Sequence, residues 1–151
     1  MKNKFENIKL GMETPEQFLA DVNGNFLPRQ SEEYRIDKSI SIFDISDFIS
    51  EGENTVTIST NYAPSEKLLE NIEKSKVFEG EKNKLCYDLE IEPMYLFGCF
   101  GVEFEGNLLK LDKNANRFVG SFELTSLPAS IDPRDITVSG FPFFSGRLVL
   151  S

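Results

Sequence analysis

The sequence predicts an all-β protein, arranged as an antiparallel β-sandwich with one short helix. The first reason is a hydrophobic period of two: in residues 54–60, Val56 and Ile58 alternate with threonines, as expected of a half-buried strand. The second reason is spacing, because the apolar segments are short and are separated by residues that favour turns. The third reason is that only one longer segment shows the helical period.

Eight segments are predicted as strands, because Phe, Val, Ile and Tyr recur in them and suit a packed sheet surface. They are residues 8–12, 17–22, 39–44, 54–60, 85–92, 95–104, 117–124 and 147–150. The dipeptide Asn23-Gly24 is the strongest hairpin signal in the chain, since both turn residues tolerate a positive φ. Gly98 and Gly101 predict a bulge or a close approach of two strands.

The predicted helix covers residues 64–74, and Pro64 at its start fits the first turn of a helix. Its apolar residues form one narrow stripe, made of Leu68, Leu69 and Ile72.

A shorter helical turn is predicted over residues 44–49, with Asp44 as its cap and Gly52 near its end. After it, Asn54 is expected to bond the local backbone, which is a frequent role of asparagine in turns.

The order of several short motifs along the chain resembles a known family. The motifs are ETPEQF (13–18), VNG (22–24), DKS (37–39), DIS (44–46), GEN (52–54), EPMYLFG (92–98), FGV (100–102) and GFPFFSG (140–146). Taken together they resemble the galactose-binding-like jelly-roll domain, a sugar-binding domain of bacterial glycoside hydrolases related to family 2.

The resemblance implies a single jelly-roll β-sandwich over residues 1–151. It also implies a non-catalytic accessory domain, because in such enzymes the catalytic carboxylates lie in a separate barrel domain. Residues 126–151 are expected to form a linker and a strand that either completes this sandwich or begins a following domain. We predict that this strand pairs within the sandwich or with a second copy, and that Phe143 and Phe144 pack inward.

Charge and composition exclude several kinds of function. Lys and Arg number 16 against 25 for Asp and Glu, so the net charge is -9, and no nucleic-acid partner is expected. The sequence has no His, which excludes a Ser-His-Asp or Cys-His catalytic site and a His-ligated metal. We therefore expect no cofactor, and no independent enzyme, because the chain offers no set of nucleophile and base.

Two further features bear on the compartment. Cys86 and Cys99 lie in apolar segments, which favours buried free thiols over a disulfide. No apolar stretch has the length of a membrane span or of a signal-peptide core. A soluble cytoplasmic protein without a membrane partner is the expectation.

One row of carboxylates is a candidate for chemistry. In the predicted strand 85–92, Asp88, Glu90 and Glu92 share one face, and alternate residues of a strand lie about 6.6 Å apart. This spacing approaches that of an inverting glycosidase pair. A solvated row without a pocket offers no general acid, so the solvated face is favoured over both a catalytic pair and a Ca²⁺ site.

A carbohydrate site would need an aromatic platform and planar polar groups that make bidentate hydrogen bonds. The candidates are Tyr34, Arg35 and Asp37, which lead from a polar loop into a strand, and Tyr62 at the exit of another strand. The favoured alternative is structural, with Tyr34 packed on the sheet edge and Arg35 paired with an acidic neighbour.

The Phe-rich segment 141–144 leaves two functions open. It either packs in a core or domain interface, or it marks a contact with a partner domain or a second copy. The first predicted function is an accessory domain that packs against neighbouring domains of a larger hydrolase and contacts carbohydrate. The alternative is a free-standing module that binds a protein partner through this segment.

Overall fold

The structure is a computed structural model, and it describes residues 1–144, 147 and 149. The strands of this part are β1 (Lys9–Glu13), β2 (Leu19–Val22), β3 (Asn25–Phe26), β4 (Tyr34–Arg35), β5 (Asp37–Asp44), β6 (Val56–Ser59), β7 (Tyr95–Phe97), β8 (Gly101–Lys110) and β9 (Asn116–Thr125). The helices are α1 (Glu66–Val77) and α2 (Glu79–Lys82), with short 3-10 helices at Pro15–Gln17, Asp112–Asn114 and Ile136–Val138.

The strands form three small sheets. Their orders are β4–β5–β1–β7, β3–β2–β6 and β8–β9. The pairs β2–β3, β2–β6, β4–β5 and β8–β9 are antiparallel. The prediction of a mainly-β protein built from short antiparallel strands is therefore confirmed.

The chain divides into two compact units. The first consists of Met1–Lys9, Asp44–Thr55 and Leu96–Ser151, and the second of Leu10–Phe43 and Val56–Tyr95. Buried apolar side chains of the first unit are Phe5, Ile8, Ile45 and Ile49. Those of the second unit are Leu10, Met12, Phe18, Ala20, Val22, Leu27, Ile42, Phe43 and Leu68.

The hairpin predicted at Asn23-Gly24 is confirmed. Val22 of β2 pairs with Asn25 of β3, and the two residues between them have φ values of 52° and 82°. The amide of Gly24 donates to the Asp21 carboxylate at 2.8 Å, and this bond stabilises the turn. The turn therefore forms from contacts within five residues, as the sequence indicated.

The predicted helix is also confirmed, as α1, and its start is fixed by a cap. The hydroxyl of Ser65 accepts a hydrogen bond from the amide of Leu68 at 3.1 Å. The amide and hydroxyl of Ser65 both donate to the carboxylate of Asp88, at 2.7 and 3.1 Å. Leu68 is the buried residue of the predicted stripe.

The predicted helical turn at residues 44–49 forms, but it is shorter than predicted. Residues 46–48 form a single turn, closed by the amide of Phe48 donating to the carbonyl of Ile45 at 2.9 Å. The carboxylate of Asp44 accepts from the amide and hydroxyl of Ser46, so Asp44 caps this turn as predicted.

The prediction for Asn54 holds. Its side chain accepts from the amide of Ser50 at 2.8 Å and donates to the carbonyls of Ser50 and Gly52. These bonds close the loop that leads into β6.

The predicted strand at residues 85–92 is wrong. Residues 83–94 contain neither strand nor helix. Asp88 accepts two hydrogen bonds from Ser65, so this segment contacts the residue that caps α1. The carboxylate row of Asp88, Glu90 and Glu92 therefore does not exist as a strand face.

Two other predictions need correction. The predicted strand 95–104 is interrupted at residues 98–100, where β7 ends and β8 has not begun. A Cβ at Gly98 would lie 2.6 Å from Cδ1 of Ile8, so this glycine allows the close approach that the sequence predicted. Cys86 and Cys99 are both free, as predicted, but both are exposed, so the prediction that they are buried is wrong.

Among the helices of the described residues, none combines the length and apolar character needed to cross a bilayer.

Candidate functional site

Strands β8 and β9 form a long antiparallel hairpin in the first unit. Their register runs without a break from Gly101 opposite Thr125 to Lys110 opposite Asn116. The turn at residues 111–115 closes with a backbone hydrogen bond of 2.8 Å. Successive side chains of a strand point to opposite faces. The phenylalanines of both strands lie on one face, together with Val102, Leu108 and Leu124, whereas Leu109 and Val119 lie on the other.

That face carries a cluster of phenylalanines. Phe104 lies directly opposite Phe122, and Phe118 lies opposite Leu108. The ring centroid of Phe104 is 4.8 Å from that of Phe118 and 5.2 Å from that of Phe122. Aromatic pairs at such distances contribute about 0.5–1.5 kcal/mol each beyond the area they bury. Phe104, Leu108, Phe118 and Phe122 are called the aromatic face below.

A pair of glycines makes room for this cluster. Gly106 and Gly120 lie opposite each other between the two Phe-bearing pairs. A Cβ at Gly106 would lie 2.3 Å from the carbonyl oxygen of Val119 and 2.9 Å from Cζ of Phe104. Because the glycines project no side chains, the rings of Phe104 and Phe118 meet above them, although these residues are not opposite each other.

The aromatic face is partly open to solvent, because Phe104, Leu108 and Phe118 are half-buried. Phe122 is 41% exposed, and Phe143, whose ring centroid lies 5.0 Å away from it, is 70% exposed. The prediction that Phe143 and Phe144 pack inward is therefore wrong: contact with Phe122 covers only part of the Phe143 ring, and Phe144 is 41% exposed. The predicted strand at residues 147–150 includes positions outside the described residues and stays a prediction.

The opposite face of the hairpin is acidic. Glu103 and Glu123 lie opposite each other, and Glu105 follows on the same face of β8; these three residues are called the acidic face. Two like charges at opposite positions repel, and cations offset this repulsion here. Lys2 pairs with Glu103, and the amino group of Met1 lies 3.8 Å from the Glu123 carboxylate.

The ion pair with Lys2 sets the protonation of Glu103. The hydrogen bond from Lys2 and, next, its charge hold the pKa of the Glu103 carboxyl below its usual range. The same bond and charge raise the pKa of Lys2. A groove of about 830 Å³ runs along this face, bordered by Glu53 as well as by the acidic face.

The outer edges of the hairpin are covered near its base. The amide of Val102 donates to the carbonyl of Gly140 at 2.9 Å, which covers the edge of β8. The amide of Lys2 donates to the carbonyl of Leu124 at 3.0 Å, which covers the edge of β9.

Beyond this point the edge of β8 is open. In an antiparallel ladder, residues whose backbone groups point outward alternate with residues that bond across the pair. Since Val102 bonds outward, the amides and carbonyls of Phe104, Gly106 and Leu108 also point outward. None of these groups bonds to another residue in the part of the chain that the structure describes.

A small groove lies beside this open edge. It has a volume of about 210 Å³ and lies where the 3-10 helix Ile136–Val138 faces β8. Its lining residues are Val102, Glu103, Phe104, Leu108, Phe118, Thr137, Val138 and Gly140.

The four residues predicted to bind carbohydrate lie in the second unit. Tyr34 and Arg35 form β4, and Arg35 pairs in register with Asp37, the first residue of β5. Ile36 between them has a φ of 70°. The structure thus brings these three residues into one tight turn, with Tyr34 54% exposed at the edge of its sheet.

The fourth residue, Tyr62, is 50% exposed and follows β6, which belongs to a different sheet. Asp37 is already engaged, because its carboxylate accepts from the amide and hydroxyl of Ser39 at 2.8 and 2.9 Å. These two bonds, the backbone one first, hold the pKa of Asp37 below its usual range.

The first unit also has a polar groove of about 800 Å³. It is bordered by Lys4, Glu6, Asp44 and Asp47. The hydroxyl of Ser46 and then its amide hold the pKa of Asp44 below its usual range, so this carboxylate is ionised and not a proton donor. Within residues 1–144, 147 and 149, no three of the Cys, Asp and Glu side chains are grouped so that they could hold a metal ion.

Sequence reasoning missed the hairpin as a site, although the signals are present. Phe104 and Leu108 on one strand, and Phe118 and Phe122 on the other, are four residues apart, and a single glycine lies midway in each strand. This matching pattern indicates two paired strands with a shared aromatic face. The pattern was missed because the predicted strand 95–104 ends at Phe104, so Leu108 was not assigned to any strand.

Comparison of the chain with protein-family models, with curated proteins and with solved structures found no match.

Proposed function

We propose that this chain is a non-catalytic binding domain that takes a protein partner on the aromatic face of the β8–β9 hairpin. The observation that supports it most is a cluster of four rings on a sheet that has two strands among the described residues. Phe122 and Phe143 in this cluster are exposed, and Phe104 and Phe118 are half-buried. A two-stranded hairpin alone is marginally stable in water, and large exposed aromatic clusters are typical of interaction sites.

Several carboxylates support the non-catalytic part of the proposal. A general acid at neutral pH needs a raised pKa. Hydrogen bonds instead lower the pKa of Asp37, Asp44, Glu103 and Asp132, each through a donor within the chain.

The test compares Phe143→Ser with Phe78→Ser. Phe78 is 64% exposed at the end of α1 and serves as a control for the loss of an exposed phenylalanine elsewhere. Wild type and both variants are immobilised, and the proteins they retain from the source lysate are quantified. The proposal expects a defined protein that is lost with Phe143→Ser and kept with Phe78→Ser, while circular dichroism shows all three chains folded. If no retained protein depends on Phe143, the proposal is rejected.

A second candidate is a carbohydrate-contacting accessory domain of a glycoside hydrolase, with a jelly-roll sandwich of the galactose-binding type. It is supported by the motif order along the chain and by the exposed ring of Tyr34 beside Arg35 in the β4–β5 turn. Titration against a panel of glycans tests it, with Tyr34→Ala as the variant and Tyr87→Ala, also an exposed tyrosine, as the control. Binding that is lost only with Tyr34→Ala would favour this candidate, and absence of any glycan binding would reject it.

A further inference from the structure

We infer that the partner of the hairpin is an extended polypeptide segment that adds as a strand to the outer edge of β8 beyond Val102, with apolar side chains on the aromatic face and Lys or Arg side chains on the acidic face. This inference rests on the proposed function and specifies the chemistry of the partner.

The backbone of β8 supports a strand as the occupant. The amides and carbonyls of Phe104, Gly106 and Leu108 point outward without a partner among the described residues. Such a row of donors and acceptors is what an added strand bonds in β-augmentation. At Val102 the same edge already bonds a neighbouring segment in this manner, because the amide of Val102 donates to the carbonyl of Gly140.

The groove beside the edge supports an apolar anchor. Its volume of about 210 Å³ lies below the roughly 300–1,000 Å³ typical of sites for small molecules. Phe104 and Leu108 border it on the hairpin side and Val138 on the other. A groove of this size suits one side chain of a bound strand better than a separate ligand.

The acidic face supports a basic partner. Glu103 and Glu105 are exposed on the face of β8 opposite to the phenylalanines, and since Lys2 already pairs with Glu103, Glu105 is the main attraction for a partner's cation. Because side chains of a strand alternate between faces, a segment laid along β8 presents every second residue to these carboxylates. The chain has a net charge of -9, so charge favours a partner rich in Lys and Arg over a second copy of this chain.

The edge of β8 is favoured over that of β9. On the acidic side, the positions of β9 beyond Glu123 are Ser121, Val119 and Arg117, which carry no negative charge to attract a basic strand. Lys2 already occupies the base of that edge and pairs with Glu103.

The experiment uses the full chain and a capped eight-residue peptide of alternating Lys and Ile as the probe. Two further peptides are N-methylated: one on its Ile amides and the other on its Lys amides. In antiparallel addition the Ile amides face β8, and in parallel addition the Lys amides do. We expect binding of the parent peptide, loss of binding with one N-methylated peptide and retention with the other.

Variants of the chain test the charge and the site. Glu105→Lys should weaken binding of the parent peptide at least tenfold, and Glu90→Lys, at an exposed position in the second unit, should leave it unchanged. Hydrogen exchange should show that the peptide protects the amides of Phe104, Gly106 and Leu108. A peptide with Glu in place of Lys should not bind.

Several results would overturn the inference. Equal binding of all Lys-containing peptides would mean attraction by charge alone, and self-association that buries the same amides would assign the edge to a second copy. A variant lacking residues 145–151 that binds the peptide tenfold more tightly would assign the edge to the chain's own C-terminal segment.

If the peptides do not bind but a retained protein still depends on Phe143, the strand inference is wrong and the proposed function stands. If the Phe143 dependence also fails, both are wrong.

Discussion

Replacing Gly106 by alanine tests the geometry on which the aromatic face depends. Gly106 lies in the middle of β8 with a φ of 147°, a conformation that side chains with a Cβ rarely adopt. The added methyl group would lie 2.3 Å from the carbonyl oxygen of Val119 and 2.9 Å from the Cα of Gly120. Both neighbours are backbone atoms of β9, so the strain cannot be relieved by rotating a side chain.

The size of the effect follows from two costs. A non-glycine residue in this backbone region costs about 1–3 kcal/mol, and overpacking in a tight contact costs about another 1–3 kcal/mol. One outward shift of the strand relieves part of both, so we expect a loss of about 3 kcal/mol in the free energy of unfolding. For a chain of 151 residues this corresponds to a fall in Tm of roughly 6–12 °C.

The assay combines thermal melting with hydrogen exchange. Exchange is needed because the chain has two compact units, which need not unfold together. The amides of Glu105 and Ser121, which face each other across the ladder, should lose protection in Gly106→Ala. The control is Gly80→Ala in α2, where no atom lies within 4 Å of the Cβ position and alanine favours the helix by up to about 1 kcal/mol.

The result that would refute this reasoning is specific. Gly106→Ala would have the same Tm as wild type, with the amides of Glu105 and Ser121 still protected from exchange. In that case the two strands do not approach each other as closely at Gly106 and Gly120 as the structure shows. The aromatic face would then lack its structural basis.

Three other predictions concern local geometry. Gly24→Val should cost about 1–3 kcal/mol through backbone conformation alone, because φ is 82° and the surrounding space is open, whereas Gly24→Asn should cost much less; equal Tm values for the two variants would contradict this. Ser65→Ala should cost about 1 kcal/mol and reduce the helicity measured by circular dichroism, since the hydrogen bond that caps the amide of Leu68 is lost; Ser65→Thr, which keeps the hydroxyl, should retain most of the helicity. The Ser39 hydrogen bonds lower the pKa of Asp37 in the folded state. They therefore stabilise the fold at pH values above the unfolded pKa of about 3.9, and this stabilisation is lost as the pH falls through the lower folded pKa. In urea titrations from pH 5 downward, Asp37→Asn should therefore lose less stability than wild type, and parallel curves would refute the assignment.

The sequence by itself determined the features whose contacts are local. The turn at Asn23-Gly24, the loop bonds of Asn54 and the helix α1 were all predicted, and each is held by groups within about five residues of one another. Periodicity also predicted the mainly-β class, because alternation of apolar and polar residues reports burial of one strand face.

Only the tertiary structure decided the rest. The alternating residues 85–92 do not form a strand, and Asp88 in this segment instead bonds Ser65, which is 23 residues away. The candidate site likewise depends on the register that sets Gly106 against Gly120 and lets the rings of Phe104 and Phe118 meet. The sequence contains all of these residues, but alternation alone does not say which strand a strand pairs with or in which register. Those choices are made by the summed packing of both strands, and a shift of one residue would move every phenylalanine to the other face.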